Sequence, residues 1–382
     1  MVESRQVYVI GGGPAGLAAA AELRRRGMEP VILERGERLG TSWRAGYDRL
    51  RLHTVRGLSG LPGYAIPRAA GRWPSRDAVL DYLERYRARH ALEVRGSTEV
   101  ERIAAAESGD GEGIRWILHT TAGERLPARS VVVATGNANV PYVPDLPGLD
   151  SYAGQLRHAR DYRNPAPFAG LDVLVIGVGN SGAEIATDLA RGGAGRVWIA
   201  VRTPPQIVRR DTAGWPAHAT GILVSRLPAA LVDSVARLQQ RLTVPDLTGY
   251  GIPRPDDGLL SRLRRTGEVP LQDVGFIDAV RGGVVTPVAA VTGFAGDKVL
   301  LADGSAIAAQ AVIAATGYRR GLERMVGHLG VLDAAGLPTV HGGPPAAPGL
   351  FFLGYTISLR GMLRDIAADA RRLAPAVARD YQ

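Results

Sequence analysis

Residues 7–16 read VYVIGGGPAG, and residues 173–182 read VLVIGVGNSG. Each stretch is a short apolar run followed by G-x-G-x-x-G, a pattern typical of a strand, a tight turn and a helix. The first glycine allows the turn, the second lets the backbone approach a pyrophosphate, and the third lets the helix pack on the strand. The helix N-terminus then presents free N–H groups to the phosphates. Two such motifs in one chain predict two bound dinucleotides.

The segment after the first motif favours FAD. A helix is predicted over residues 17–26, ended by Gly27, and a strand over residues 30–34. Glu34 lies close to the spacing at which a carboxylate accepts hydrogen bonds from a ribose. A carboxylate there selects a ribose without a 2′-phosphate, which suits the adenosine half of FAD. Pro14 supports the helix start, because proline is well tolerated in the first helical turn.

The segment after the second motif favours NADP. A strand is predicted over residues 196–202, and Arg202 stands where the first motif has Glu34. A guanidinium pairs with a 2′-phosphate through two hydrogen bonds, whereas a carboxylate would repel it. A flavin that a nicotinamide must reduce is the usual reason for two such motifs in one chain. The alternative is that Arg202 is an ordinary surface arginine in an arginine-rich protein.

The composition fits a globular enzyme and excludes one large class of flavoproteins. The 382-residue chain is long enough for two domains with their own cores. It contains no cysteine, which excludes disulfides, thiol-based metal sites and the redox cysteine pair of a disulfide reductase. The net charge of +9 comes from spread-out arginines, since Lys298 is the only lysine, so we expect attraction for anionic cofactors rather than nucleic-acid binding. Neither a signal peptide, a membrane-spanning run nor a metal site is predicted, and we expect a cytoplasmic protein.

The chain repeats itself in outline. A strand is predicted over residues 114–120 and a buried strand over residues 130–136, ending in Ala-Thr-Gly; residues 298–302 and 311–318 repeat this order. Small residues at these strand ends allow the chain to cross close to a cofactor. We therefore predict an α/β fold of two dinucleotide-binding, Rossmann-like domains, with the NADP domain inserted in a discontinuous FAD domain. The predicted crossings are residues 137–168 and 287–297, and the predicted domains are residues 1–150 (FAD, first part), 151–290 (NADP, with a substrate-entrance insertion) and 291–382 (FAD, second part).

This order of motifs resembles the flavin-containing monooxygenases. Residues 152–162, YAGQLRHARDY, fit the identifying pattern F-x-G-x-x-x-H-x-x-x-Y/F, with Tyr152 in place of the opening phenylalanine. Baeyer–Villiger monooxygenases usually end this pattern with tryptophan, where the chain has Tyr162. Within the family, the chain is most similar to the plant YUCCA-type enzymes and their bacterial relatives, on the segments 47–53, 271–276, 354–355 and 360–363.

The resemblance implies an activity. YUCCA-type enzymes decarboxylate indole-3-pyruvate oxidatively, and wider relatives oxygenate nitrogen or sulfur atoms of small molecules. NADPH would reduce FAD, and the reduced flavin and O2 would give a C4a-(hydro)peroxide that NADP⁺ shields. Two departures put the substrate in question: His53 stands where many members have asparagine, although YUCCA-type enzymes also have histidine there, and Arg364-Asp365 replaces a run of small residues.

The resemblance also implies roles for individual residues. Trp43 is a candidate for packing on the isoalloxazine, and His53 for a hydrogen bond near flavin N5 or the peroxide; both could instead be structural. His158 lies in the motif between domains and is expected to position the NADP domain. The catalytic candidates are thus His53 and Trp43. Asn180 and Ser181 are expected to contact NADP, and Arg360 and Met362 are expected to face the flavin. The candidate cofactor-binding residues are Gly11, Gly13, Pro14, Ala15, Gly16, Glu34, Arg35, Gly40, Trp43, Arg44, Thr135, Gly136, Gly177, Gly179, Asn180, Ser181, Gly182, Arg202, Thr316, Gly317, Gly354, Arg360 and Met362.

Residues 203–281 identify no substrate. A helix is predicted from residue 229 to 238, with apolar residues at helical spacing, and this apolar face is more typical of a core or dimer contact than of a membrane anchor. We expect a small-molecule substrate and O2 as partners, and a homodimer is one option. The alternatives to a monooxygenase are an NADPH oxidase or dehydrogenase and a non-catalytic nucleotide sensor, and within the monooxygenases a Baeyer–Villiger enzyme.

Overall fold

The structure is a computed structural model that describes residues 7–107, 109–110 and 113–381. It divides into two compact units. The first unit comprises the chain up to Ala45, residues 54–140 and the chain from Tyr318 onward. The second unit comprises residues 46–53 and 141–317.

Helices and strands are mixed along the whole of the described chain. The helices are α1 (Pro14–Arg24), α2 (Thr41–Arg44), α3 (Arg76–Arg89), α4 (Asn180–Arg191), α5 (Ala217–Val224), α6 (Ala229–Thr243), α7 (Leu259–Thr266), α8 (Phe276–Arg281), α9 (Glu323–Val326) and α10 (Met362–Tyr381). Short 3₁₀ turns occupy Arg56–Leu58, Arg68–Ala70, Leu149–Ser151, Ala159–Asp161, Ala166–Phe168, Thr248–Tyr250 and Gly327–Leu329. The strands are β1 (Val7–Ile10), β2 (Pro30–Leu33), β3 (Glu93–Arg95), β4 (Val100–Ala105), β5 (Trp116–Thr120), β6 (Arg125–Ala128), β7 (Ser130–Val133), β8 (Val140–Pro141), β9 (Gln155–His158), β10 (Val173–Ile176), β11 (Val197–Val201), β12 (Ile207–Arg209), β13 (Asp211–Thr212), β14 (Trp215–Pro216), β15 (Leu271–Asp273), β16 (Thr286–Ala289), β17 (Val291–Ala295), β18 (Lys298–Leu301), β19 (Ala306–Ala308), β20 (Ala311–Ala314), β21 (Tyr318–Arg319) and β22 (Leu350–Phe352).

The first unit is built on a parallel sheet with the order β22-β7-β1-β2-β3. Central β1 pairs with β2 and β7, so that Val7 lies opposite both Pro30 and Ser130. Strands β1, β2 and β7 are buried on both faces, which explains why their sequences are continuous apolar runs rather than alternating ones. Helix α1 packs against α10, and its alanines Ala18–Ala21 are all buried.

The second unit repeats this arrangement. Its parallel sheet has the order β9-β20-β10-β11-β16, in which β10 carries the second glycine motif and β20 leads into the second Ala-Thr-Gly. In each unit an antiparallel three-stranded sheet, β4-β5-β6 or β17-β18-β19, precedes the Ala-Thr-Gly strand in the chain. The predicted α/β fold with two Rossmann-like domains and an inserted second domain is therefore confirmed.

Some predicted bounds differ from those of the structure. The sequence predicts residues 291–317 in the FAD domain, but they belong to the second compact unit because β20 lies between β10 and β9 in its sheet. The motif at residues 152–162 is predicted to be a linker, yet its middle part forms β9 at the edge of that sheet. The helix predicted over residues 229–238 continues to Thr243. Among the described residues, no helix is both long and apolar enough to cross a bilayer.

Candidate functional site

The glycine turn of the first unit needs two of its glycines for its own packing. A side chain on Gly11, whose φ is +112°, would place its Cβ 2.6 Å from the Ala134 carbonyl oxygen. A Cβ on Gly16 would lie 1.9 Å from the Gly11 carbonyl oxygen. Gly13 differs, because a Cβ there would meet no described atom within 4 Å, and its backbone is extended and open to any residue. Packing and conformation therefore do not explain the glycine at position 13.

The second turn has the same division of roles. A Cβ on Gly177, whose φ is +104°, would lie 2.7 Å from the Ala315 carbonyl oxygen, and one on Gly182 would lie 2.0 Å from the Gly177 carbonyl oxygen. Gly179 again faces open space, with no atom of the described chain within 4 Å of a Cβ. In both units the middle glycine leaves a space that a side chain would fill. This is the space that a pyrophosphate needs to reach the backbone.

The helices that begin at these turns have unsatisfied N-termini. Within the described residues, neither α1 nor α4 has a side-chain cap or an acidic residue in its first turn. Their first N–H groups therefore stay available, and the positive end of each helix dipole favours an anion. Both units thus present a cradle of the kind that binds phosphate groups.

The carboxylate of Glu34 organises the surroundings of the first turn. Its Oε2 accepts a hydrogen bond from the Gly12 N–H at 2.6 Å, and its Oε1 accepts from the Gly36 N–H at 2.9 Å and the Thr41 hydroxyl at 2.8 Å. The Gly40 N–H also donates to the Gly12 carbonyl oxygen at 3.1 Å. A carboxylate has about four acceptor positions, so one remains for a ligand hydroxyl.

Two other strand ends reach the same turn. The Thr135 hydroxyl lies 2.9 Å from the Tyr355 hydroxyl, and burial raises the pKa of Tyr355 to about 12. A Cβ on Gly354 would lie 2.8 Å from the Ala15 Cβ, so this glycine allows the chain after β22 to pass the start of α1. Thr135 and Gly354 therefore lie beside the first glycine turn, and Gly136 follows Thr135 in the chain; their contact with a cofactor stays a prediction.

Two of the arginines predicted in the first unit, Arg44 and Arg360, have protein partners. Arg44 donates to the Leu39 carbonyl oxygen at 2.8 Å and pairs with Glu84 at 3.2 Å. Arg360 pairs at 2.6 Å with Asp365, which is fully buried and also accepts from the Ser358 hydroxyl at 2.5 Å. Asp365, which in the sequence is only a departure from YUCCA-type enzymes, therefore holds the loop before α10 in place.

The remaining candidates of the first unit lie near solvent. Arg35 and Trp43 are half-buried, and Met362 is exposed at the start of α10. Their side chains make no ring contact or hydrogen bond within the described part of the chain, and their predicted roles toward a flavin stay predictions.

The second unit contains a cavity of about 550 Å³ beside its glycine turn. Gly177, Gly179, Asn180, Arg202, Thr316 and Gly317, all predicted from the sequence, line this cavity. Arg202 is exposed directly after β11, so its guanidinium is accessible from solvent. A volume of this size is in the range of ligand and cofactor sites.

Two side chains around this cavity have structural tasks. The Asn180 amide donates to the Pro270 carbonyl oxygen at 3.1 Å and accepts from the Gln272 N–H at 2.8 Å, which connects the glycine turn to β15. Arg262, which sequence reasoning missed, is buried, pairs with Glu268 at 2.8 Å and donates to the Pro204 carbonyl oxygen at 2.7 Å. The signal available in the sequence was an arginine between two apolar helix positions, Leu260 and Leu263.

His53 lies in the second unit, on the segment of residues 46–53 that α4 binds. Its Nε2 is 2.8 Å from Glu184 Oε1, and its buried Nδ1 has no hydrogen-bond partner among the residues that the structure describes. One helical turn further along α4, Asp188 pairs with Arg49 at 2.7 Å. Burial, and then the charge of Glu184, raises the pKa of Tyr47, so its hydroxyl stays protonated. Two carboxylates on one face of α4 therefore hold this segment.

His158 is buried, and both of its ring nitrogens form hydrogen bonds with backbone groups. Its Nδ1 accepts from the Arg160 N–H at 3.1 Å, so its Nε2 carries the proton and donates to the Gly317 carbonyl oxygen at 3.0 Å. These bonds join β9 to the end of the Ala-Thr-Gly-Tyr segment, which supports a positioning role.

The histidine contacts predict that the fold loses stability in mild acid. Burial lowers the pKa of His158, and also of His90 and His341, below the ordinary value of 6.5. The unfolded chain therefore takes up protons first, and stability that is complete above pH 6.5 is lost as the pH falls from there through the folded pKa values. We expect the Tm to drop by several degrees between about pH 7.5 and 5.5. His158→Asn, which can still cap the Arg160 N–H, should lose part of this drop, and an unchanged pH dependence would contradict the assignment.

The comparisons with known proteins agree with this geometry. The family model of the pyridine nucleotide-disulphide oxidoreductases matches residues 8–214. The chain is 36% identical over 313 residues to "Indole-3-pyruvate monooxygenase YUCCA1" of Oryza sativa subsp. japonica, covering 81% of this chain and 76% of the relative. It is 32% identical over 371 residues to the probable indole-3-pyruvate monooxygenase YUCCA1 of Arabidopsis thaliana, covering 96% and 88%. The chain belongs to the YUCCA-type flavin monooxygenases.

Solved structures support the same family. The flavin-containing monooxygenase from Stenotrophomonas maltophilia matches 98% of this chain and 99% of its own, with 28% identity and a TM-score of 0.73. A cyclohexanone monooxygenase has a TM-score of 0.74 at 19% identity, covering 98% of this chain and 87% of its own, which shows a common fold alone.

This member of the YUCCA-type flavin monooxygenases is an enzyme with FAD and NADPH as cofactors. The two glycine cradles fit two dinucleotides, because each leaves its middle glycine facing open space at an uncapped helix N-terminus. Although the matching family model is named for disulphide oxidoreductases, the chain has no cysteine and cannot reduce a disulfide through a thiol pair.

Proposed function

We propose that the enzyme oxidatively decarboxylates an aryl-substituted 2-oxo acid of the indole-3-pyruvate type. The balanced reaction takes R–CH₂–CO–COO⁻, O2, NADPH and H⁺ to R–CH₂–COO⁻, CO₂, H₂O and NADP⁺. One oxygen atom enters the new carboxylate, and the other leaves as water with the hydride and the proton. The observation that carries this proposal is the 36% identity to an indole-3-pyruvate monooxygenase over 81% of the chain.

The first unit is proposed to bind FAD. Its pyrophosphate would lie against Gly13 and the first N–H groups of α1, and Glu34 would use its remaining acceptor position for a ribose hydroxyl. Bound FAD would supply the two-electron chemistry that activates O2. Asp365 would act indirectly, by fixing Arg360 at the start of α10.

The second unit is proposed to bind NADPH in the cavity beside Gly179. Arg202, exposed at the end of β11, would pair with the 2′-phosphate, and Thr203 lines the same cavity. Glu34 occupies the corresponding strand end in the first unit, and a carboxylate there would repel this phosphate. The difference between the two positions supports the assignment of the two nucleotides.

His53 is proposed to hold a hydrogen bond to the flavin or to the reacting oxygen. Its Nε2 is occupied by Glu184, whereas its Nδ1 is buried without a partner in the described chain, and such an atom is costly unless a ligand satisfies it. Glu184 would orient the imidazole ring, and Trp43 would pack on the isoalloxazine. A cytoplasmic location and a homodimer stay proposals from the sequence.

A substrate panel tests the proposal. Purified FAD-loaded enzyme is mixed with NADPH, O2 and, separately, indole-3-pyruvate, phenylpyruvate, a thioether, a tertiary amine and a cyclic ketone. We expect the two 2-oxo acids to yield their one-carbon-shorter acids with one NADPH consumed for each product. Lactone from the ketone alone would favour Baeyer–Villiger insertion. Acid products that disappear when catalase is present would favour an oxidase, because free hydrogen peroxide decarboxylates 2-oxo acids without an enzyme. Either result would contradict the proposal.

A further inference from the structure

Helix α6 exposes an apolar stripe that the proposed function does not use. Leu231, Val235, Leu238 and Leu242 follow one another at spacings of four, three and four residues, which places them on one face of the helix. Each is between 46% and 78% exposed, while Val232 and Asp233, which point away from the stripe, are buried. The sequence favours a core or dimer contact for this helix, but the stripe belongs to no core among the described residues.

The segment immediately before α6 in the chain also exposes large apolar side chains. Leu223 at the end of α5 and Leu227 in the following turn are exposed, and Trp215 before α5 is 54% exposed with its indole N–H bonded to Thr220. Exposed large apolar residues in such density mark an interaction surface rather than ordinary surface scatter. We call the surface of Trp215, Leu223, Leu227 and the four α6 residues the α6 surface.

Arginines outnumber acids around α6: Arg237 and Arg241 line a pocket together with Arg254 and one exposed acid, Asp256. Between residues 213 and 243 the exposed charged side chains are Arg226, Arg237 and Arg241. The single acid of this segment, Asp233, is buried and accepts hydrogen bonds from the Leu260 N–H at 2.6 Å and the Ser261 hydroxyl at 2.5 Å. The exposed apolar face is therefore bordered by cations without any exposed acid of the same segment.

We propose that the α6 surface binds an anionic lipid surface, with α6 lying in the plane of the membrane interface. Exposed leucines and a tryptophan beside arginines are the composition of an interfacial helix, in which the apolar face enters the acyl boundary and the cations meet the headgroups. This places the enzyme on a membrane without crossing it.

The same charges disfavour a second copy as the occupant. Arg237 and Arg241 lie on one flank of the stripe, four residues apart. An antiparallel two-fold pairing of α6 with itself keeps that flank on the same side in both copies. Four guanidinium groups of α6, with the Arg254 and Asp256 of each copy beside them, would then border one edge, and this excess of positive charge costs free energy.

Vesicle binding by the FAD-loaded, full-length enzyme tests this proposal. We expect cosedimentation with vesicles of phosphatidylcholine and phosphatidylglycerol, weaker binding to phosphatidylcholine alone, and weakening when the salt is raised to about 0.5 M. The double variant L238Q/L242Q should bind at least about tenfold more weakly. R237Q/R241Q should lose the preference for the anionic vesicles. Bound wild type should show a blue shift of tryptophan emission that Trp215→Phe reduces.

Leu300→Gln is the matched control, because Leu300 is an exposed leucine on β18, away from the α6 surface in sequence. It should bind vesicles like wild type, and all variants should keep their flavin content and Tm. Equal vesicle binding by L238Q/L242Q and wild type would overturn the proposal. So would a wild-type dimer in light scattering that L238Q/L242Q converts to a monomer, because the surface would then belong to a second copy.

Discussion

Replacement of Gly179 by valine is expected to raise the KM for NADPH at least about 100-fold while leaving the Tm nearly unchanged. The side chain would fill the space in front of α4, and the pyrophosphate would lose charge-assisted hydrogen bonds worth about 1.5–3 kcal/mol each. The fold should tolerate the change, because the Gly179 backbone is extended and a Cβ there meets no described atom within 4 Å. Steady-state kinetics and thermal unfolding measure the two effects.

Gly182→Ala is the control, because here the added side chain is expected to disturb the fold. Its Cβ would lie 2.0 Å from the Gly177 carbonyl oxygen, so this variant should lose stability rather than only cofactor affinity. Gly13→Val should act on the other nucleotide, giving protein with little bound flavin and a normal secondary structure. A Gly179→Val enzyme with the KM of the wild type would show that the NADPH pyrophosphate does not lie against Gly179.

Replacement of Arg202 by glutamine is expected to lower the preference for NADPH over NADH by about 30-fold or more. The charge-assisted pair with the 2′-phosphate, about 2 kcal/mol, would be lost for NADPH only, because NADH has no phosphate there. The kcat/KM with NADH should stay within about twofold of the wild type. Kinetics with both nucleotides measure the ratio.

Arg196→Gln is the matched control for this variant. Arg196 stands immediately before β11 and pairs in solvent with Asp172 at 2.6 Å, so its loss removes the same charge from the same segment without touching the cavity. Its preference for NADPH should equal that of the wild type. An equal fall in the two variants would show that net charge, rather than a specific pair, sets the preference.

The fold and the two glycine turns were predictable because their determinants are local. Gly16 meets the Gly11 carbonyl oxygen and Gly182 meets the Gly177 carbonyl oxygen, so a pattern of a few residues contains this constraint. The approach of Ala134 to Gly11 and of Ala315 to Gly177 is a tertiary contact that the pattern does not show. The strand-end position of Arg202 follows from the same short unit. The repeat of strand order in the two units then follows from the repeat of motifs.

The contacts that were missed join residues far apart in the chain. Residues 46–53 attach to α4 through the pairs His53–Glu184 and Arg49–Asp188, whose members are more than 130 residues apart in the sequence. No local sequence pattern predicts such pairs. The ion pair between Arg44 and Glu84 and the hydrogen bond between the Asn180 amide and β15 are likewise tertiary contacts. The exposure of the α6 stripe is similar, because helical spacing of apolar residues does not say whether another element covers them.

The proposed reaction places one atom of O2 in the product for each NADPH oxidised. To measure this, ¹⁸O₂ is supplied to the FAD-loaded enzyme with NADPH, indole-3-pyruvate and catalase in excess, because free hydrogen peroxide decarboxylates 2-oxo acids without an enzyme. The acid product is analysed by mass spectrometry while NADPH oxidation is followed. We expect one labelled oxygen atom in each product carboxylate and a one-to-one ratio of product to NADPH consumed. Unlabelled product, or NADPH oxidation without acid product in the presence of catalase, would rule out the proposed reaction.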